Sequence, residues 1–207
     1  QVDGDALHEF ATVSRLLEAC AEAYGEPADP LHRQALARLL PRFGPPPEGP
    51  AMHPHAALIE RFYASFAKRD WAGMAACYHR EVHFSDEAFD LNGADAGMMW
   101  RMLLTTGKDL TLEYSGIEAD DRTGRAHWDA RYTFSATGRK VLNRIDARFE
   151  FRDGLIVRHV DRFPFWTWAR QALGTPGLLL GWTPFLRAKV RAGAAAKLAA
   201  YLAKPRT

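Results

Sequence analysis

Two ionisable side chains fall among apolar residues in the stretch DGLIVRHVDRFPF, residues 153–165. Asp153-Gly154 is typical of a hairpin turn, and the alternation that follows it predicts a β-strand. In this register His159 and Asp161 share the apolar face with Phe163. A carboxylate is costly to bury unless it is paired or hydrogen-bonded. Asp161 is therefore either a satisfied structural group or an acid or base that transfers protons, and the sequence leaves both interpretations open.

A further carboxylate, Asp86, ends another predicted strand, residues 81–86, on the same face as Val82 and Phe84. A carboxylate in an apolar pocket can remove a proton next to a carbonyl group when burial raises its pKa. An aspartate at the end of a strand also suits a turn, where its side chain bonds to nearby backbone N–H groups. Asp86 is thus a candidate catalytic residue with an ordinary structural alternative.

The elements that would position these side chains follow from hydrophobic periodicity and from turn residues. Helices followed by an antiparallel meander indicate an α+β fold. We expect a cone-shaped, curved antiparallel sheet with N-terminal helices packed on its concave side, extra terminal helices, and an interior pocket. The predicted helices are residues 55–68, 71–78 and 94–105, and the predicted strands are residues 81–86, 110–117, 125–135, 140–151 and 155–165, with a short extended piece at 89–92.

The composition divides the chain into four parts. Residues 1–43 are predicted to be a helical N-terminal appendage. The proline-rich stretch GPPPEGPAMHP, residues 44–54, is predicted to be a stiff linker. The main domain is predicted over residues 55–166, and residues 167–207 are predicted to be a basic helical tail.

The tail has an uneven charge. After Asp161 there are eight basic residues and no acidic residue, whereas the rest of the chain holds 19 basic and 25 acidic residues, a net charge of −6. We expect the tail to cover the pocket mouth or a dimer mate. Contact of a basic amphipathic helix with a membrane surface is the alternative. Gly174, Pro176, Gly177 and Gly181 would interrupt the apolar face of such a helix, which favours the covering role.

Two strings, taken with the order of the elements, resemble the nuclear transport factor 2-like superfamily: LIERFYASFAKRDWAGMAACYHREVHFSD and GRKVLNRIDARFEFRDGLIVRHVDRF. The resemblance covers about residues 55–166. It extends to the SnoaL-like, ketosteroid-isomerase-like and limonene-epoxide-hydrolase-like branches. One fold can host many chemistries, so the resemblance implies the fold more firmly than the reaction.

Each branch implies a different set of catalytic residues. The ketosteroid-isomerase-like pattern implies that Asp86 shuttles a proton and that Asp146 is a protonated acid of the oxyanion hole. The epoxide-hydrolase-like pattern implies that Arg144, Asp146 and Asp161 activate water and position an epoxide. The SnoaL-like branch needs only an acid or base in an apolar pocket, for which His159 and Asp161 would serve.

Three hypotheses for function stay open at this point. The first is isomerisation or cyclisation of an apolar carbonyl compound by acid/base chemistry, with no metal and no organic cofactor. The second is epoxide opening, and the third is a non-catalytic module that binds a hydrophobic ligand or dimerises. In either catalytic case we expect aromatic residues to bind the substrate: Phe62, Tyr63, Tyr78, Phe84, Trp100, Trp128, Tyr132 and Phe163.

The partners expected from the sequence are a small apolar molecule and a second copy of the chain. Nucleic acid is not expected, because the chain has a basic tail but no recognition motif. The strings typical of nucleophilic serine, P-loop and dinucleotide sites do not occur. The two cysteines make no disulfide framework and no metal pattern, which favours a reducing cytoplasm.

Overall fold

The structure is a computed structural model that describes residues 52–203. The predicted appendage, residues 1–43, and most of the predicted linker lie outside these residues. The described part forms six helices and six strands. The helices are α1 (Pro54–Ala67), α2 (Trp71–Ala75), α3 (Ala94–Thr106), α4 (Phe165–Leu173), α5 (Thr175–Leu180) and α6 (Pro184–Leu202), and the strands are β1 (Tyr78–Ser85), β2 (Asp90–Asn92), β3 (Thr111–Ala119), β4 (Thr123–Phe134), β5 (Arg139–Arg152) and β6 (Leu155–Arg162).

Helix α1 illustrates how local sequence fixes an element. Pro54 occupies the first turn, where a missing N–H costs nothing, and the His53 ring accepts a hydrogen bond from the His55 N–H. The helix stops before Arg69, whose φ of 59° lies in the left-handed region. The residues that the helical spacing placed inward are buried: Leu58, Ile59, Phe62, Tyr63 and Phe66.

The six strands form one open sheet in the order β2-β1-β6-β5-β4-β3. Its neighbouring strands are antiparallel, as predicted, except that β1 and β6 are parallel. The chain passes through β2, α3 and three further strands before it returns, so β6 can run in the same direction as β1. The predicted α+β fold is confirmed, and the main core lies between helices α1 and α3 and one face of the sheet.

Alternation along β5 decides which of its side chains can reach the interior. Asn143, Ile145 and Ala147 are buried, whereas Arg144 and Asp146 are exposed on the other face. The buried face packs toward the helices, because Ile145 and Ala147 belong to the main core. The two β5 residues implied by the epoxide-hydrolase-like pattern therefore point away from the core.

Strand β6 is irregular at Val157, which has no partner across β5. Such a bulge changes which residues share a face of the strand. Ile156, His159 and Asp161 are the buried residues of β6, and Val157 is half-buried. Simple alternation therefore predicted the inward positions of His159 and Asp161 correctly but was wrong for Val157.

The chain after β6 forms three helices, α4, α5 and α6. Strand β6 ends at Arg162, earlier than predicted, and Phe165 already begins α4. Helices α4 and α6 share a second apolar cluster with β5, and α6 also reaches the main core through Leu198. These two helices thus pack against the domain, as the covering role requires. The buried members of the second cluster are Val141, Phe165, Trp168, Ala169, Ala172 and Leu186.

Candidate active site

A cavity of about 680 Å³ lies between the inner face of the sheet, α3 and the tail helices. Its wall is mostly apolar, with a small number of polar groups that include Asp86, Asn143 and Asp161. An apolar pocket with a few placed polar groups is the usual form of a small-molecule site. The aromatic residues of the wall are Phe66, Phe89, Trp100, Trp128, Tyr132, Phe134, Phe163, Phe165 and Trp168.

Asp161 ends a chain of buried hydrogen bonds that starts in the core. The indole Nε1 of Trp100 lies 2.9 Å from the Tyr78 hydroxyl, which lies 2.7 Å from His159 Nδ1. His159 Nε2 lies 3.0 Å from Asp161 Oδ1. The indole Nε1 of Trp128 approaches the same oxygen at 3.4 Å, a long hydrogen bond.

The donors in this chain assign the proton on His159. An indole N–H can only donate, so the Tyr78 oxygen accepts from Trp100 and its own O–H donates to His159 Nδ1. The Nε2–H of His159 then donates to Asp161 Oδ1. This assignment follows from the network and uses every donor. In this arrangement His159 accepts at Nδ1 and donates through Nε2, and Asp161 Oδ1 accepts.

This network of hydrogen bonds is shielded from water. The side chains of His159 and Asp161 are 0% and 3% exposed. Burial raises the pKa of the Tyr78 phenol well above its ordinary value, so its O–H remains a donor at neutral pH. The rings around His159 are those of Phe62, Tyr78, Phe84, Trp100 and Phe149.

The second carboxylate oxygen of Asp161 differs from the first. Among residues 52–203 no hydrogen-bond donor reaches Oδ2, while Oδ1 is held by His159 and Trp128. Asp161 belongs to the cavity wall. Oδ2 is therefore the oxygen that a ligand in the cavity can meet, and the network behind Asp161 holds it in place.

Asp86 both stabilises a turn and lines the cavity, so both roles that its sequence position allowed are present. Its Oδ1 accepts hydrogen bonds from the N–H groups of Ala88, at 2.6 Å, and Phe89, at 2.5 Å. Asp86 also lines the cavity, and burial raises its pKa from 3.8 to about 7 despite these two bonds. The negative charge of Asp161 adds to the rise. Near neutral pH, Asp86 can therefore carry a proton that it can donate.

The cavity brings together some of the predicted residues and not others. Asp86 and Asp161 line it, but His159 lies behind Asp161, buried among core rings. His159, which the SnoaL-like pattern implied as an acid or base in the pocket, is therefore not a residue of the cavity wall. Of the aromatic residues predicted to bind substrate, Trp100, Trp128, Tyr132 and Phe163 line the cavity, whereas Phe62, Tyr63, Tyr78 and Phe84 are buried in the core behind it.

Arg144 and Asp146 lie on the outer face of the sheet. Asp146 Oδ1 lies 2.8 Å from His127 Nδ1, and Arg144 Nε lies 3.7 Å from Asp129 Oδ2. The side chains of Arg144 and Asp146 are largely exposed, because these are the outward positions of β5. The residue set implied by the epoxide-hydrolase-like pattern is therefore not assembled in the cavity, and Asp146 is not placed to be an oxyanion-hole acid there.

Asn143 is a polar wall residue that sequence reasoning missed. It is buried on the inward face of β5, next to Ile145, and it lines the cavity. Its side-chain amide has no hydrogen-bond partner among residues 52–203. An amide offers both a donor and an acceptor, so Asn143 can bind a carbonyl or a hydroxyl group of a ligand. The signal was available in the alternation of Val141, Asn143 and Ile145.

Two further structural observations bear on the expected partners. Within residues 52–203 no three or more His, Cys, Asp or Glu side chains are grouped so that they could hold a metal ion. No helix of this part is both long and apolar enough to cross a membrane. Chemistry without a cofactor remains a prediction.

Comparison with known proteins identifies a family for this fold. The family model described as the SnoaL-like domain matches residues 59–159. The comparison with curated proteins gave no match. The resemblance to the SnoaL-like branch that the sequence indicated is thus confirmed over residues 59–159.

Solved structures from three bacteria share the fold. A nuclear transport factor 2-like protein of unknown function from Burkholderia pseudomallei is 18% identical, with a TM-score of 0.52 over 58% of this chain and 98% of that one. A candidate polyketide cyclase from a Silicibacter species is 20% identical, with a TM-score of 0.50 over 58% and 96%. An epoxide hydrolase of the limonene type from M. tuberculosis is 17% identical, with a TM-score of 0.50 over 63% and 96%. At these identities the likeness shows the fold.

Proposed function

Because residues 59–159 form a SnoaL-like domain of the nuclear transport factor 2-like superfamily, we propose that this chain is an enzyme that transfers protons next to a carbonyl group of an apolar small molecule. The observation that carries the proposal is the buried chain from Tyr78 through His159 to Asp161, which ends in the wall of an apolar cavity. The expected reaction is an isomerisation or a cyclisation that needs no cofactor.

Asp161 is the proposed general base. Its Oδ2 faces the cavity without a donor, and Oδ1 is held by the Nε2–H of His159. A base positioned in this way can remove a proton from the carbon next to a ketone, because it needs no reorganisation when the substrate arrives. His159 and Tyr78 do not touch the substrate. They are positioning residues that orient the carboxylate.

Asp86 is the proposed general acid. Removal of the carbon-bound proton sends the electron pair into a new C=C bond and places negative charge on the carbonyl oxygen. A carboxyl group with a pKa of about 7 is partly protonated at neutral pH and can donate its proton to that oxygen. Asn143 can stabilise the same oxygen through its amide N–H.

The proton balance closes in both versions of the reaction. In an isomerisation, Asp161 returns the proton to a different carbon, the enol O–H returns its proton to Asp86, and no atom is gained or lost. In a cyclisation, the enol carbon attacks a second carbonyl carbon of the same molecule, whose oxygen takes up the proton that Asp161 holds, while the first carbonyl re-forms and its O–H proton returns to Asp86. Either product leaves the two carboxyl groups able to start another cycle.

Carbonyl chemistry fits this cavity better than epoxide opening. The arginine that would position an epoxide, Arg144, lies on the outer face of the sheet together with Asp146. The name of the Silicibacter neighbour, a candidate polyketide cyclase, is compatible with carbonyl substrates. The apolar wall accommodates hydrocarbon rings, whose burial would supply the binding free energy at about 25 cal/mol per Å².

The test is exchange of carbon-bound hydrogen for deuterium. The full chain is incubated in D₂O with apolar ketones of two to four rings, beginning with 2-tetralone, and deuterium uptake next to the carbonyl is followed by NMR. We expect uptake faster than in buffer, and the Asp161→Asn variant to lose about 10²–10⁴-fold of that acceleration. Benzophenone, which has no hydrogen on the carbons next to its carbonyl, is the control for non-specific labelling.

Two results would contradict the proposal. The first is an absence of accelerated exchange with every ketone that the chain binds, which would make the domain a binding module instead of an enzyme. The second is full exchange activity in a folded Asp161→Asn variant. Circular dichroism of each variant establishes that it is folded before its rate is compared.

A further inference from the structure

Six large apolar side chains are exposed on the tail helices. Each is between 41% and 74% exposed, whereas Met52 is the only other large apolar residue this exposed among residues 52–203. Concentrated apolar exposure of this kind marks an interaction site in proteins that fold in water. These six residues form what we call the tail patch: Trp166, Leu178, Leu179, Leu180, Trp182 and Phe185.

Packing within the tail explains why the leucines face outward. Helix α5 approaches α4 with its glycines: a Cβ at Gly177 would lie 1.9 Å from the Ala169 oxygen. A Cβ at Gly181 would lie 3.1 Å from Ala169 Cβ and 3.0 Å from Trp166 Cδ1. Only glycine allows this close approach, so Gly177 of α5 and Gly181 just after it lie directly against α4. The three consecutive leucines, residues 178–180, are left on the exposed side.

The two tryptophans of the tail patch are held with their polar atoms satisfied. The indole N–H of Trp166 donates to the Leu178 carbonyl at 3.1 Å, and that of Trp182 donates to the Leu179 carbonyl at 3.0 Å. Both rings therefore enter an apolar environment without losing a hydrogen bond to water, which is the main cost of burying an indole. The patch is ordered as well as apolar.

One cation lies against the tail patch, and two others lie near it on α6. The Arg170 guanidinium lies 5.1 Å from the Trp166 ring centroid, and the Arg187 guanidinium lies 5.1 Å from that of Phe165. Lys189 is exposed one turn along α6 from Phe185. Arg187 is paired with Glu87, but no acidic residue follows Asp161 in the sequence. The occupant of this surface must therefore offer apolar contact and negative charge together.

We propose that the tail patch docks this protein on an anionic membrane surface. Tryptophan, phenylalanine and leucine enter the boundary between headgroups and acyl chains, and cations beside them pair with anionic headgroups. The charge asymmetry of the chain and the exposed aromatic rings are both explained by this occupant. The covering role predicted for the tail holds for α4 and α6, while α5 and its flanks are available for docking.

Docking would also place the lipid next to the cavity. Residues of the same three helices line the cavity, among them Phe165, Pro176 and Leu186. An apolar compound dissolved in the membrane would then reach the cavity without crossing water. This consequence concerns delivery of a ligand and holds whether or not the domain is catalytic.

The test is co-sedimentation of the full chain with vesicles of phosphatidylcholine alone and of phosphatidylcholine with 30% phosphatidylglycerol (about 30% is enough to give a negative surface). We expect binding to the anionic vesicles that weakens as salt is raised. The Leu179→Ser/Phe185→Ser variant should bind at least about tenfold more weakly. The Met52→Ser variant, which removes an exposed apolar side chain outside the tail patch, should bind like wild type.

A second pair of variants tests the charge. Arg170→Gln/Lys189→Gln should weaken binding roughly fivefold per cation, whereas Arg148→Gln/Lys68→Gln, which removes an exposed arginine and lysine elsewhere, should have a smaller effect. Failure of wild type to bind anionic vesicles overturns the proposal, as does equal binding by the Leu179→Ser/Phe185→Ser variant. If that variant instead changes the mass of the protein in solution and leaves vesicle binding unaltered, the patch is occupied by a second copy of the chain.

Discussion

The two faces of the sheet each carry a histidine paired with an aspartate. On the inner face His159 Nε2 lies 3.0 Å from Asp161 Oδ1, and on the outer face His127 Nδ1 lies 2.8 Å from Asp146 Oδ1. The residue types and distances are nearly the same. The burial is not: the inner side chains are 0% and 3% exposed, and the outer ones are 42% and 81% exposed.

This difference decides what each pair can do. Water can replace either partner of the outer pair and screens its charges, so the pair contributes little beyond its own hydrogen bond. The inner pair is shielded from water, and its aspartate lines an apolar cavity. Residue type and spacing therefore do not identify a working acid or base. The environment on one side of a strand does.

Replacing each histidine in turn should give the largest difference in stability between the two faces of the sheet. His159→Ala leaves Asp161 as an unpaired buried carboxylate and opens a space among core rings, so we expect the free energy of unfolding to fall by about 3–5 kcal/mol. His127→Ala should cost less than about 1 kcal/mol. Urea unfolding of both variants at pH 7 measures the difference. Similar losses for the two would show that burial does not distinguish the pairs.

The tyrosines give a second, smaller contrast. Tyr78→Phe removes the hydroxyl that connects Trp100 to His159 and leaves two buried polar atoms without partners, which should cost about 1–3 kcal/mol. Tyr114→Phe removes a hydroxyl that donates to the partly exposed Glu60, where water can take over, so the cost should be lower. The same urea experiment checks both. A larger loss for Tyr114→Phe would contradict the assigned network.

Asp86 should impose a stronger pH dependence on stability than the exposed His127–Asp146 pair of the outer face does. Its folded pKa of about 7 lies above its unfolded value near 4, so its contribution to stability is fully present below pH 4 and is lost as pH rises through 7. Asp86→Asn keeps an oxygen for the two backbone N–H groups. This variant should therefore gain about 1–3 kcal/mol relative to wild type between pH 5 and pH 8.

The control for this pH dependence is Asp146→Asn, on the outer face. Asp146 raises the pKa of His127, but water screens this exposed pair, so Asp146→Asn should reduce the difference in stability between pH 5 and pH 8 by much less than Asp86→Asn does. If Asp86→Asn shows the same slope as wild type, the carboxyl group does not titrate near neutral pH in the folded protein. Its assignment as a general acid would then fail.

The smallest effect is expected at Arg144. Its guanidinium is mostly exposed and lies 3.7 Å from Asp129, so Arg144→Gln should change stability by less than about 0.5 kcal/mol. It should also leave hydrogen exchange of 2-tetralone unaltered, because Arg144 is outside the cavity. A marked loss of exchange in this variant would return the epoxide-hydrolase-like set to consideration.

The order of elements could be predicted from the sequence, because apolar periodicity and turn residues report locally on helices and strands. The inward positions of Asp86 and Asp161 followed from the same alternation. The face of Asp146 was predictable in principle. Val141, Ile145 and Phe149 show that the odd-numbered positions of β5 form the apolar face, so Asp146 belongs to the opposite, exposed face. Resemblance to a family pattern had favoured Asp146 over that simpler argument.

Other features needed the structure, for physical reasons. The bulge at Val157 depends on how β6 pairs with β5, and no residue type in β6 indicates that a bulge forms there. That His159 lies behind Asp161 and not in the cavity wall depends on how α1, α3 and the sheet pack around it. The exposed tail patch depends on the closeness of α5 to α4, which is set by Gly177 and Ala169. Composition alone favours burial of leucine and tryptophan and gives no sign of this exposure.

The most direct test of the central claim compares the two aspartates in one assay. Deuterium uptake into 2-tetralone is measured for wild type, Asp161→Asn and Asp146→Asn at equal concentrations of folded protein. The inner-face variant should lose about 10²–10⁴-fold of the acceleration, and the outer-face variant should stay within about twofold of wild type. Equal rates for the two variants, whether both are retained or both are lost, would contradict the assignment of the inner pair as the working site.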